Sequence, residues 1–562
     1  MIFIAITLVV LFFTYQFFED RRKKNELKDL IKKRKAEQVL NFEWCKKNFE
    51  KLDEIKAEEI TSLKFEDLQN ALREGSVKPS DVLRAYQRKA YKANESTNSV
   101  CLFITRATEL AESLDQTSPN SDYPLYGIPV SIKESIHVKH MDSTMGYAQL
   151  LNQPSDEDAA VVEQIIRFGG IPFVHTNVPI ALLSFGCCNP VYGATSNPLD
   201  ITRVPGGSSG GEAALVALGA SPLGIGTDVG GSIRTPASFC GVSGFKSSAD
   251  RTSQLGKVAT IPGRQLLQSI DGPIAPTIGV CVEYLKMKWN DRKLLETDIY
   301  MAPVPFQTKI YESTQKLRIG YYYNDGYQAT TPAFIRAVEK TKKLLEDAGH
   351  TLVEFEVPRP HHMFNIFCAG ATSDGGLYLL KTLQNDIVPK ECDIGFQVAK
   401  LPQFVQKLLR LYWPVDRQRG IIQELPHDTE EMREMHEKIE DYRHEFVVAM
   451  RKLKLDAIVC PAFGSQPPHH GTPNQMLSAT SYTALYNLID FAAGTVPVTR
   501  VTREDEGDLK NMDCNDKWDD LIRSESMGCV GLPVSVQIAT PPFKEEMCLR
   551  LLKYVEDNIH AI

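Results

Sequence analysis

Between residues 205 and 246 the chain reads PGGSSGGEAALVALGASPLGIGTDVGGSIRTPASFCGVSGFK, where glycine, serine and alanine dominate but large apolar residues keep returning. A flexible linker of small residues stays in water. This stretch instead sets Leu215, Val216, Leu218, Leu223, Ile225 and Phe239 among its glycines, so it belongs in an interior. It is not a phosphate loop either, because it lacks GK[ST] and its glycine runs do not follow GxGxxG after a clear strand. A buried backbone stripped of side chains is one that something approaches closely. Gly230 and Gly231 directly precede Ser232, and glycines permit backbone angles at which successive N–H groups converge on an anion. A serine beside such a nest has the two parts of acyl transfer, a nucleophile and an oxyanion hole. Asp228 is placed to support the loop by hydrogen bonds.

Serine needs a base, and the stretch contains no histidine. His175, after the strand-like IPFV, reads as a satisfied core residue. Lys133 in GIPVSIKES lies in an apolar strand, where burial disfavours an ammonium and favours the neutral amine.

The run GGSSGGE…GTDVGGSIR, with the upstream GIPVSIK, resembles the amidase signature family. The resemblance implies a Ser–cis-Ser–Lys triad with Lys133 as base, Ser208 as bridging serine and Ser232 as acylated nucleophile. It also implies oxyanion-hole amides from Val229, Gly230, Gly231 and Ser232, and no cofactor. Four further segments are similar to the membrane-bound branch that cleaves fatty-acid amides: HTNVPIALLSFGCCNPVYGATSNP, RIGYYYNDGY, SYTALYNLIDFAAGTVPVTRVT and VGLPVSVQIA. For this chain that branch implies N-acylethanolamine and primary acyl amide substrates, Leu182 and Ser208 lining the substrate site, and a homodimer. One departure is Pro276, which stands where the family has arginine in a GP(M/I)AR run. Two alternatives carry other functions: the glutamine amidase subunit of a tRNA-dependent amidotransferase, and a non-catalytic lipid-binding protein of the same fold.

Helical patterns alternate with strand-like ones over most of the chain, as in DAAVVEQIIRFGG before IPFVHTN and PAFIRAVEKTKKLLEDAG before HTLVEFEV. That alternation predicts an α/β fold, a large mixed twisted sheet covered by helices on both faces. The expected division is an anchor over 1–20, a helical arm over 21–80 and a catalytic domain over 81–562, whose first helix is N-capped by Ser80.

Ile2 to Phe18 is nearly all apolar and is followed by Arg21, Arg22, Lys23 and Lys24. At 1.5 Å per residue the run covers about 25 Å, just enough for a thin bilayer such as the endoplasmic reticulum. Basic charge on its C-terminal flank predicts an N-terminal transmembrane helix with the rest of the chain in the cytoplasm. In residues 398–417, Leu401, Phe404, Val405, Leu408, Leu409, Leu411 and Tyr412 share one helical face. Lys400, Gln403, Gln406, Lys407 and Arg410 fall on the opposite face, as in a helix that lies in a membrane interface, and the resemblance to the fatty-acid amide branch implies a membrane-binding cap here.

Against these two lipid signals stands a balance of 63 basic and 71 acidic residues, which argues against a nucleic-acid partner. The 12 cysteines form no CxxC and the histidines no HExxH, so a metal is not expected.

Overall fold

The structure is a computed structural model that describes residues 2–119, 123–388 and 416–559. Its frame is an eleven-stranded mixed sheet. In chain order the strands are β1 (Val100–Phe103), β2 (Pro129–Lys133), β3 (Ile171–Thr176), β4 (Cys188–Asn189), β5 (Gly193–Ala194), β6 (Gly224–Asp228) and β7 (Ser243–Lys246). There follow β8 (Ile270–Ala275), β9 (Arg318–Tyr321), β10 (Thr351–Glu354), β11 (Ala457–Pro461), β12 (Ala492–Arg500) and β13 (Pro533–Thr540). The order across the sheet is β1-β3-β2-β6-β8-β7-β12-β13-β11-β9-β10, with β4 and β5 pairing separately.

β2 runs parallel to both β3 and β6, and every residue of β2 and β6 is buried. That double burial is why these strands read as apolar or small-residue runs without alternation. The helices read from the alternation are present, Ala160–Arg167 before β3 and Pro332–Asp347 before β10, and a further helix, Thr429–Lys452, precedes β11. The α/β sheet covered by helices is therefore the observed architecture.

The N-terminal region departs from expectation. Residues Ile2–Phe49 form a single 48-residue helix, and the border between the expected anchor and arm lies inside it. Among the described residues no helix is long and apolar enough to cross a membrane, so the expected transmembrane helix is not supported.

The second half of the helix docks on the sheet. Asn41 Nδ2 donates to Phe103 O (2.9 Å) and its Oδ1 accepts from Phe103 N (2.8 Å), while Gln38 Nε2 donates to Cys101 O (2.9 Å). These amides satisfy the open edge of β1. Arg34, buried, donates from Nη2 to Asp142 Oδ2 (2.7 Å) and from Nη1 to the Tyr192 hydroxyl (3.1 Å).

Two smaller expectations also shift. Ser80 is not a cap: its helix is Pro79–Thr97, with Pro79 in the first turn after Lys78, where its missing N–H costs nothing. The proposed cap at 398–417 falls almost wholly outside the described residues.

Candidate active site

The carboxyl ends of neighbouring parallel strands are where an α/β sheet builds its sites. Here β2 ends on Lys133 and β6 on Asp228, with Ile132 level with Ile225. A third segment, Gly206–Ser209, turns between them into the helix Gly210–Ala217. That helix is tied to the sheet by Glu212, which accepts from Ser131 Oγ on β2 and from Thr176 Oγ1 (2.7 Å) on β3. A Cβ on Gly207 would meet Ser184 O at 2.6 Å and Phe185 Cα at 3.0 Å, so a glycine is needed for the two segments to lie this close. The Gly207–Ser208 peptide is cis, as the family resemblance implies for this serine.

Lys133 is fully buried, and its Nζ lies 2.7 Å from Ser208 Oγ, 2.8 Å from Thr227 Oγ1 and 3.2 Å from Thr227 O. Burial lowers its pKa to about 7, against the pull of Asp228, Glu212 and Glu134, which favour the ammonium. Burial also pushes Glu212 up to about 8 and Glu134 up to about 7. A neutral amine has two N–H groups and one lone pair. With the N–H groups on the two Thr227 oxygens, the lone pair faces the Ser208 hydroxyl. The arrangement can therefore take a proton from Ser208.

Ser232 is half-buried at the end of the loop leaving β6. Its carbonyl accepts from Ser209 N (3.1 Å), which holds the two serine loops together. Among the described residues no hydrogen bond involves Ser232 Oγ, so the Lys133–Ser208 link is formed and the Ser208–Ser232 link is not.

Asp228 carries the loop as expected. Its carboxylate accepts from Gly231 N (2.8 Å), Ile233 N (3.1 Å), Arg234 Nε (3.1 Å) and Asn487 Nδ2 (2.9 Å). Burial alone would raise its pKa, but Arg234, Lys246 and Asn487 outweigh it and hold the group well below the usual carboxylate range. Arg234 is itself buried and donates to Gln537 Oε1 (2.6 Å). Gly231 has φ +119°, and a Cβ there would meet Thr483 Oγ1 at 2.2 Å. No other residue fits that position. Because the Gly231 amide is taken by Asp228, three of the four expected donors, the N–H groups of Val229, Gly230 and Ser232, lack a partner among the described residues.

The wall beside the nest is aromatic. Phe367 touches Gly230, stacks on Phe364 (6.1 Å between centroids), and Phe364 meets Tyr327 (4.6 Å). Leu182 stands in the short turn Ile180–Leu182, two residues before the Ser184 backbone that touches Gly207. It packs in an apolar cluster with Met145, Tyr147, Ile180, Leu379 and Leu383. Pro276 directly follows the end of β8. His175 is buried on β3, where burial lowers its pKa to about 4, but its Nε2 has no partner among the described residues, so it is not fully satisfied.

Several of these residues escaped the sequence reading. Glu212 had a local signal, a lone carboxylate inside a small apolar run. Thr227, Glu134, Phe367, Thr483 and Asn487 had none, because their roles arise from segments far apart in the chain.

The Amidase family model matches residues 81–549. The chain belongs to the amidase family. A Ser-Ser-Lys triad is characteristic of that family. The chain is 42% identical over 570 residues to "Fatty acid amide hydrolase 1" of Caenorhabditis elegans, covering 99% of each chain. It is 37% identical over 513 residues to "Fatty-acid amide hydrolase 1" of Sus scrofa, covering 90% of this chain and 87% of that one. A solved structure titled "Fatty acid amide hydrolase" superposes with a TM-score of 0.77 at 24% identity, covering 95% and 90% of the two chains. That last likeness speaks to the fold alone.

Proposed function

We propose that this amidase hydrolyses fatty-acid amides, N-acylethanolamines and primary acyl amides among them, through an acyl-Ser232 intermediate. The observation that carries the reading is Lys133 Nζ, buried and 2.7 Å from Ser208 Oγ. In the cycle, neutral Lys133 takes the Ser208 proton and Ser208 takes that of Ser232. The Ser232 oxygen attacks the carbonyl, and free amides of the 229–232 loop hold the oxyanion. The proton returns through Ser208 to the leaving nitrogen, the demanding step for an amide, and water then releases the acid.

The two relatives named as fatty-acid amide hydrolases support the substrate class. So does the aromatic row ending on Gly230, since an acyl chain gains about 0.8 kcal/mol for each methylene it buries. A polar glutamine side chain would gain nothing there, which weighs against the amidotransferase alternative.

The proposal extends to the setting. The catalytic domain is residues 81–562, the arm 21–80, and the apolar segment 1–20 attaches the enzyme to a lipid bilayer, aided by residues 398–417. The domain faces the cytoplasm, at the endoplasmic reticulum, as a homodimer with Leu182 beside the acyl chain. The test is turnover of a panel of acyl amides of rising chain length, with glutamine alongside, by the purified full chain. Rising kcat/KM with chain length and fluorophosphonate labelling lost in Ser232→Ala are expected. Glutamine as the better substrate, or labelling at full stoichiometry in Ser232→Ala, would overturn it.

A further inference from the structure

The peptide joining Gly230 to Gly231 is held at both ends. Its N–H donates to Asp228 Oδ1 (2.8 Å), and its carbonyl accepts from Thr483 Oγ1 (2.7 Å). Both contacts trace to one helix, Ser481–Leu488. Thr483 grips the carbonyl end directly. Asn487, one turn later on the same face, holds Asp228 (2.9 Å) and accepts from the Arg234 guanidinium. Residues 483 and 487 lie some 250 positions from the loop they hold, on an element that contributes nothing to the Lys133–Ser208 pair.

This peptide plane matters because of its neighbours. The flanking amides, Gly230 N–H and Ser232 N–H, are ones the loop leaves free, and each lies in a peptide plane joined to the held one through the torsions at a single glycine α-carbon, Gly230 or Gly231. A peptide with glycine on both sides is also the one most able to rotate, since neither residue has a Cβ to resist. Phe367 against Gly230 and Thr483 against Gly231 block part of that freedom by packing. The hydroxyl adds direction, which packing alone does not. The Thr483 hydroxyl has one proton and two acceptors in reach, the Gly230 carbonyl at 2.7 Å and the Thr480 carbonyl of its own helix at 3.0 Å. The shorter bond is the one to the loop.

We propose that Thr483 is a positioning residue for the oxyanion hole: its hydroxyl fixes the Gly230–Gly231 peptide so that the free amides on either side converge on the acyl oxygen. Thr483 does not touch the reacting atoms. Its effect falls on the charge that develops on that oxygen, so it lowers the barrier without tightening the substrate complex. The proposal rests on the acyl-serine reading above, but not on the acyl chain, because the hole serves any carbonyl attacked by Ser232.

The test compares Thr483→Val, which keeps the shape and removes the hydroxyl, with Thr483→Ser, which keeps the hydroxyl. For hydrolysis of a long-chain amide and a short acyl p-nitroanilide, Val should lower kcat by about 10-fold to 100-fold with KM nearly unchanged, and Ser should restore most of it. A trifluoromethyl ketone that forms a tetrahedral adduct with Ser232 should lose affinity for the Val variant by the same factor as kcat/KM, while the product acid binds as before. Full kcat in the Val variant, a loss confined to KM, or a Ser variant as poor as Val would overturn the proposal. Thermal melting of both variants separates a misfolded protein from a misdirected peptide, and a melting temperature that falls for Val but not for Ser, with kcat unaffected in the folded fraction, also counts against it. Failure of the wild type on long-chain amides alone, with the p-nitroanilide series intact, would sink the substrate assignment and spare the clamp.

Discussion

Lys133 and the basic residues at Arg21–Lys24 put cationic side chains into opposite surroundings. On the N-terminal helix they stand exposed along a helix. At the end of β2 the amine has no contact with water, and burial lowers its pKa to about 7. Enclosure, with acceptors on Thr227 and a hydroxyl at Ser208, gives this amine the low proton affinity that the proposed base needs, where elsewhere a lysine is only a surface charge. The two regions also differ in construction. The site is built from short strands and loops whose small residues let three segments meet. The N-terminal helix is one long element that joins the rest of the molecule through its second half.

The contrast can be broken most severely at the nucleophile. Ser232→Ala should lower amide turnover by about 10⁴-fold or more, read by product release under single-turnover conditions. Lys133→Ala should cost about 10²-fold to 10⁴-fold on amides and less on esters, whose leaving group needs less help from a proton. Replacing Lys23 and Lys24 by alanine should leave turnover of a short soluble amide unchanged. Equal losses at Lys133 and at Lys23 would erase the distinction between the two regions.

The pH profile sharpens the same point. In the proposed cycle Lys133 is the neutral base, so kcat/KM should fall about tenfold per unit below pH 7 and level off above it. The same shift enters stability with a definite sign. Between the folded value near 7 and the ordinary lysine value the unfolded chain binds more protons, so this group makes stability rise with pH across that window. A Lys133→Met variant should lose both the acid limb and that rise.

A small effect on catalysis, with a larger one on stability, is expected at the joint between the regions. Arg34→Leu leaves the Asp142 carboxylate buried without its cation, which should destabilise the docked helix by about 3 kcal/mol. A lower unfolding midpoint and early proteolytic release of the N-terminal helix are expected, with kcat on a short amide within about twofold of wild type. A large fall in kcat would mean that the helix shapes the site as well as covering the sheet edge.

Much of this was legible along the chain, and the reasons are local. β2 and β3 announced themselves as apolar runs, Pro332–Asp347 by its helical pattern, Lys133 by its place in an apolar strand, and Ser232 and Asp228 by residue types near glycines, whereas Ser208 came only from the family resemblance. The misses were local as well. A serine two residues past a lysine looked like a cap until Pro79 proved to be the first helical residue, and the apolar run 2–18 looked like a unit apart. Nothing in the residues at 18–21 marks a helix that simply continues, because charged and apolar side chains have similar helix propensities.

Which residues could act, and in which strand or loop each would sit, is written in neighbouring side chains, because hydrophobic period and glycine placement bias the backbone over a few residues at a time. How they act depends on groups that meet only when the sheet closes. Lys133 reaches Ser208 across 75 positions, and Asn487 reaches Asp228 across 259. Burial depth, and with it the proton affinity of an amine, is a property of everything packed around a site, so no short window of sequence contains it.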